Sequence, residues 1–192
     1  MKRLGDVCKI VMGQSPESKY YNENYEGLPF HQGVTNFGKR FPENRTYCTV
    51  TNRLAEEGDI LFSVRAPVGR INLARTKMVI GRGLCSIRSL TNSQRFIFQQ
   101  LTEKFQEEDI IGGRTIFKAV TKGEMHGVQI LMPDVKTLST IEDHLIPVFR
   151  QLEILSGQNI NLRQQRDLLL PRLVSGELDE CLIITNLNDK EV

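Results

Sequence analysis

Apolar residues in the first 130 or so positions come in brief, partly alternating stretches: Lys9–Met12, Tyr47–Val50, Ile60–Val64, Ile71–Ala74, Met78–Ile80, Cys85–Ile87 and Val128–Met132. Gly, Pro and Asn cluster between them, as in Gly13-Gln14-Ser15-Pro16 and Phe41-Pro42-Glu43-Asn44. This punctuation predicts short strands joined by turns. Asp59–Val64, entered from Glu57-Gly58, is the clearest strand. One segment differs. From Thr91 to Phe105, Phe96, Ile97, Leu101 and Phe105 share a face at helical spacing, with Thr91 or Asn92 placed to cap the helix. Gly112-Gly113 marks a turn after it, and Thr121-Lys122-Gly123-Glu124 a second.

Beyond Pro133 the period changes. Ile141, Leu145, Val148, Leu152, Leu155, Asn159, Leu162, Arg166, Leu169 and Leu173 follow one another at gaps alternating between 4 and 3, and all but Asn159 and Arg166 are apolar. A sustained 3.5-residue repeat is the pattern of a helix seam that meets a partner helix, in which polar members fix register at some cost in stability. Pro147, Ser156-Gly157 and Pro171 interrupt the run and predict a kink or a helix start, a weak point, and an end or bend. The competing reading is an amphipathic helix lying on its own domain. A seam of roughly 30 residues, ~45 Å long at helical rise, exceeds what one small domain covers. The expected class is therefore α+β: a strand-rich domain over 1–134, a long coiled-coil-forming helix over 135–178, and an acidic, flexible tail over 179–192.

Composition adds a charge asymmetry. The net charge of +2 averages two unlike regions. His31 to Arg88 holds ten basic and four acidic residues, a net +6, whereas Val174 to Val192 holds one basic and five acidic residues, a net −4. Such a middle segment is either a solvated basic face or a surface that meets a polyanion. No apolar run approaches the roughly 18 residues of a membrane span, and the N-terminal apolar stretch, broken by Asp6 and Lys9, does not read as a signal peptide. Cys8, Cys48, Cys85 and Cys181 are scattered, which fits a reducing cytoplasm and no structural zinc.

Catalytic patterns are scarce. The three histidines (His31, His126, His144) lack metal-ligand spacing, and neither a phosphate loop nor a G-x-S-x-G turn occurs. Gly81-Arg82-Gly83 lacks the third glycine of a dinucleotide fingerprint and reads as a turn. Asp134-Val135-Lys136 offers a nuclease one carboxylate without a second, and Pro133-Asp134 suits a helix start better.

A reader of DNA sequence needs cations for phosphates, polar groups for base edges and rigid loops to hold both. Phe62–Arg70 sets Arg65 and Arg70 around a turn fixed by Pro67 and Gly69. Arg82 and Arg114 stand beside glycines, in Ile80-Gly81-Arg82-Gly83 and Gly112-Gly113-Arg114-Thr115, where backbone can approach a phosphate. Gln14-Ser15 and His31-Gln32 are polar groups in turn-rich stretches; Tyr20 and Tyr21 suit either sugar packing or the core. Lys39, Arg40 and Lys118 complete the candidate set. The residues themselves support a polyanion-binding domain with a helical partner element, and no more.

The order of these motifs resembles the specificity subunits of type I restriction-modification systems. The likeness runs from Arg3-Leu4-Gly5-Asp6-Val7 and Gly13-Gln14-Ser15-Pro16 through Gly27-Leu28-Pro29-Phe30. Its most specific part is Glu57–Ser63 with Val68-Gly69 downstream. Gly112–Phe117, Val128-Gln129-Ile130, Met132-Pro133 and Leu168–Leu170 with Leu173–Leu178 extend it to about Asp179. Leu138-Ser139-Thr140 stands where the family often has a Glu-Gln pair, and Pro147 is unusual. The resemblance implies a target-recognition domain that reads one half of a split site in double-stranded DNA. It implies a helix that docks a methyltransferase subunit carrying S-adenosylmethionine, with a restriction subunit able to join, and no cofactor or catalysis in this chain. The usual subunit has two recognition domains and two helical regions. One of each here implies a homodimer, antiparallel through the Leu145–Leu169 seam, in the cytoplasm and without a membrane. Two other classes stand beside this: an assembly remnant that binds methyltransferase but not DNA, and a metal-dependent nuclease around Asp134.

Overall fold

The computed structural model describes residues 1–110 and 119–177. It is a mixed α+β fold with eleven strands and four α-helices among those residues. In chain order these are β1 (Lys2–Arg3), α1 (Leu4–Val7), β2 (Cys8–Met12), β3 (Tyr21–Asn22), β4 (Leu28–His31), β5 (Tyr47–Cys48), β6 (Leu54–Ala55), β7 (Ile60–Ser63), β8 (Ile71–Leu73), β9 (Met78–Ile80), β10 (Leu84–Ser89), α2 (Gln94–Ile110), α3 (Lys122–Gly127), β11 (Gln129–Ile130) and α4 (Val135–Val174). An antiparallel sheet has the order β2-β10-β7-β8. A second has the order β3-β5-β4-β9-β6, in which β4 and β9 run parallel. β1 pairs with β11.

All four residues of β7 are buried, so its run of apolar side chains does not alternate with polar ones. Leu61 packs with Ala55, Ala74, Met78, Ile80 and Leu84, while Phe62 meets Phe105 of α2 edge-on at 4.7 Å. Covering on both faces is what a continuous apolar strand requires. Each such side chain contributes about 1.5–3 kcal/mol on burial.

Polar residues fix the joints. Asp59, 2% exposed, opens the central strand and takes Arg88 in a bidentate pair at 2.6 and 2.9 Å; it also accepts from the Glu56 N–H at 2.9 Å. Asp59→Asn keeps the shape but loses the charge-assisted bonds. It is expected to cost about 2 kcal/mol, read as a lower urea midpoint at unchanged slope. Gln94 anchors α2 by accepting from Ser89 N and donating to the Gly58 and Ile87 carbonyls. Glu142 of α4 accepts from Phe96 N at 2.8 Å in the first turn of α2, with Arg95 3.5 Å from its other oxygen.

Several expectations need correction. α2 begins at Gln94 rather than at Thr91, because Asn92 adopts φ 53° and breaks the helical path ahead of it. Thr121–Glu124 is no simple turn: Thr121 and Glu124 form a reciprocal capping box that starts α3. β1, β3, β4 and β6 carry no pattern that announced them. α4 runs through both Pro147 and Pro171 to Val174, so neither ends it. Contacts divide the chain between Leu145 and Ile146, inside α4. The later unit's described part, from Ile146, is helix with most of its apolar residues exposed.

Candidate nucleic-acid interface

Three glycine-bearing turns distant in sequence meet at one place. Gly13 N donates to Leu84 O at 2.9 Å, and Gln14 N to Ile80 O at 3.0 Å. Gly81 N donates to His31 O at 2.8 Å, Gly83 N to Gln32 O at 3.0 Å, and Arg82 N to Ser15 Oγ at 3.2 Å. The glycines are there for closeness of approach. A Cβ on Gly13 would overlap the Gly81 carbonyl oxygen, and one on Gly81 would lie 2.7 Å from Gln32 Cα. The backbone is thus locked, while Gln14, Gln32 and Arg82 are exposed and Ser15 half-buried. Val64 N joins the cluster through Gly83 O at 2.9 Å, which places exposed Arg65 next to it.

Ion pairing sorts the cations of the basic segment. Arg45 pairs with Glu43, Lys77 with Glu56 and Arg88 with Asp59, and Arg75 lies over the Phe41 ring at 4.2 Å. Arg65, Arg82, Arg70, Lys39 and Arg40 form no ion pair among the described residues. Lys39, Arg40 and Arg70 gather on a second patch, where Leu73 N donates to Arg40 O and Ser63 Oγ accepts from Arg70 N.

Not every candidate is exposed at this cluster. His31 is 2% exposed, with Nε2 2.9 Å from Asn44 Oδ1. Burial holds its pKa below the ordinary value, against the Asn44 bond, so the ring is neutral at pH 7 and supports the turn from below. Tyr21 stacks on Phe30 at 4.5 Å and donates to Pro16 O; Tyr20 is half-buried against the Phe30–Cys48–Val79 cluster with Lys19 over its ring. Both make packing contacts, and the Tyr21 hydroxyl also interacts with Ser15 and Arg82 of the cluster. Arg114 and Lys118 lie outside the described residues. Asn72, a polar residue between Ile71 and Leu73 of β8, is buried and carries no sequence signal beyond that placement.

The Asp134 carboxylate accepts from Lys136 N, Thr137 N and Thr137 Oγ1. The Thr137 bonds hold its pKa below the usual carboxylate range, and the group caps α4. Among the described residues no three His, Cys, Asp or Glu side chains gather as a metal site. Burial pushes the thiols of Cys8 and Cys85 up to about 12, leaving them neutral. No described helix is long and apolar enough to cross a membrane.

This arrangement of a strand-rich domain and a long helix superposes on solved type I specificity subunits. The chain belongs to the family of the type I restriction modification DNA specificity domain, whose model matches residues 1–164. It is 34% identical over 174 residues to a putative type I restriction enzyme MjaX specificity subunit of Methanocaldococcus jannaschii, covering 88% of this chain and 40% of that one. The HsdS subunit of Thermoanaerobacter tengcongensis superposes with a TM-score of 0.65 at 34% identity, over 92% of this chain and 45% of that subunit. The S subunit from M. genitalium shares the fold at 16% identity (TM-score 0.66, 96% and 47% covered). The chain therefore spans less than half the length of these relatives.

Proposed function

We propose that this chain reads one half of a split target in double-stranded DNA, as the non-catalytic specificity component of a type I restriction-modification system. The observation that carries the reading is the convergence of exposed Gln14, Gln32, Arg65 and Arg82 on turns whose backbones are locked together. Arginines on rigid loops suit phosphates, and amide side chains suit base edges. The exposed seam of α4 supports a second role: it packs on a partner helix, from a second copy of this chain, and docks a methyltransferase subunit. S-adenosylmethionine belongs to that subunit, and a restriction subunit joins the same assembly. Two-fold symmetry would make the target an inverted repeat.

Selection of bound duplexes from a random pool, followed by mobility shifts, tests this. Arg65→Ala with Arg82→Ala is expected to weaken binding at least about tenfold, since hydrogen bonds to charged groups are worth roughly 1.5–3 kcal/mol each. The salt slope should fall by about 0.9 for each phosphate that the variant no longer neutralises. Self-association through the helix should persist. Unchanged binding by the double variant, or metal-dependent cleavage by the chain alone, would overturn the reading.

A further inference from the structure

A cleft of ≈ 710 Å³ opens between the 34–40 loop, β8 with the turn before it, and α2. That is within the range of roughly 300–1,000 Å³ typical of small-ligand pockets. Its walls are preformed: Leu73 N donates to Arg40 O at 2.7 Å, Gly69 N to Ser63 O at 3.1 Å, and Arg70 N to Ser63 Oγ at 2.8 Å. Asn72 lines it and is 2% exposed. Its Nδ2 donates to the Gly38 and Ile71 carbonyls at 3.0 and 2.7 Å, and these two acceptors fix the amide's orientation. Oδ1 is then left buried with no partner. Buried acceptors rarely stay unmet, and one beside a polar cleft calls for a donor from a ligand.

The rest of the lining says which donor. Lys39, Arg40 and Arg70 supply positive charge without an ion pair among the described residues, which suits a phosphate. Phe37 and Phe105 supply aromatic surface, which suits the face of a base. A nucleotide whose base bears an exocyclic amino group meets all three demands at once. Because Asn72 is buried, such a base must leave the stack to reach it. Resting on the DNA-reading role above, we propose that this cleft receives one nucleotide of the bound DNA, turned out of the duplex, with its phosphate held by the Lys39–Arg40–Arg70 rim and its amino group donating to Asn72 Oδ1.

The test uses the full chain and the duplex it selects. One position of the selected site should read an exocyclic amino group, which adenine, guanine and cytosine carry and thymine lacks. There, replacing the base by its amino-less analogue (purine for adenine, hypoxanthine for guanine, pyrimidin-2-one for cytosine) should weaken wild-type binding about tenfold, and Asn72→Leu should abolish that discrimination. Lys39→Ala with Arg40→Ala should weaken binding while leaving the base preference intact. The wild-type analogue series needs no variant to fold. Selective binding with no position sensitive to the missing amino group would overturn the cleft proposal alone. Failure to select any sequence would overturn the DNA-reading role beneath it. Binding of dAMP or dCMP alone as tightly as the duplex would assign the cleft to free nucleotides and overturn the DNA source.

Discussion

Replacing Leu155, Leu162 and Leu169 together with glutamate is expected to convert a dimer of this chain into a monomer by sedimentation, with helix content by circular dichroism little changed. The three side chains are 43%, 61% and 47% exposed and lie on one seam of a 40-residue helix. Burying a leucine fully contributes about 1.5–3 kcal/mol. Even at the low end, six leucines across a symmetric pair amount to several kcal/mol, or more than three decades in Kd at ~1.4 kcal/mol per decade. Buried, unpaired carboxylates would add to the loss. The seam also favours an orientation. A parallel, in-register pair would set Arg166 against its own copy, like charge on like. An antiparallel pair through Leu145–Leu169 sets Leu152 opposite Leu162 and Arg166 opposite Val148, and separates the two guanidinium groups. Each Arg166 retains Asp167 at 2.6 Å in either case. A wild-type chain that sediments as a strict monomer, with and without methyltransferase, would sink this prediction.

The helix α4 was legible in the sequence because a helix repeats locally: gaps of 3 and 4 show in the chain itself. β7 was legible for the related reason that five apolar or small residues in a row have few alternatives. β1 was not. Lys2–Arg3 is a strand only because Gln129–Ile130 lies beside it, and no local pattern encodes a partner more than a hundred residues away. Thr121–Glu124 held a readable T-x-x-E signature, but Gly123 drew attention to a turn instead. In the candidate interface, glycine next to polar residues flagged Gln14, Ser15, Gln32 and Arg82, and the fold assembles them. His31 had the same local look, yet it is buried, while Tyr21 is half-buried by stacking on Phe30. Charge counting overstated the free cations of the middle segment, because Arg45, Lys77 and Arg88 are already paired.

Gly13→Ala should be the most damaging single-methyl change in the turn cluster, although Gly13 shows no left-handed backbone angle. Its added carbon would overlap the Gly81 carbonyl oxygen and lie 2.8 Å from Ile80 O. Both obstacles are backbone, and neither side can retreat cheaply. The Gly13 and Gln14 N–H groups are held by Leu84 O and Ile80 O, and Gly81 N by His31 O, so relief of the clash breaks bonds that position Gln14, Gln32 and Arg82. Overpacking of this kind costs about 1–3 kcal/mol and occasionally more. An expected loss near 3 kcal/mol corresponds to roughly 6–12 °C in Tm for a chain of this size. Gly33→Ala supplies the contrast in the same turn cluster. Its Cβ would meet nothing within 4 Å, and stability should stay within about 0.5 kcal/mol. If the cluster is the reading surface, Gly13→Ala loses preference for the selected duplex at temperatures where the domain is still folded, while Gly33→Ala keeps it. Equal melting and equal preference for the two variants would show that the close approach of the Gly13 and Gly81 turns does not govern recognition.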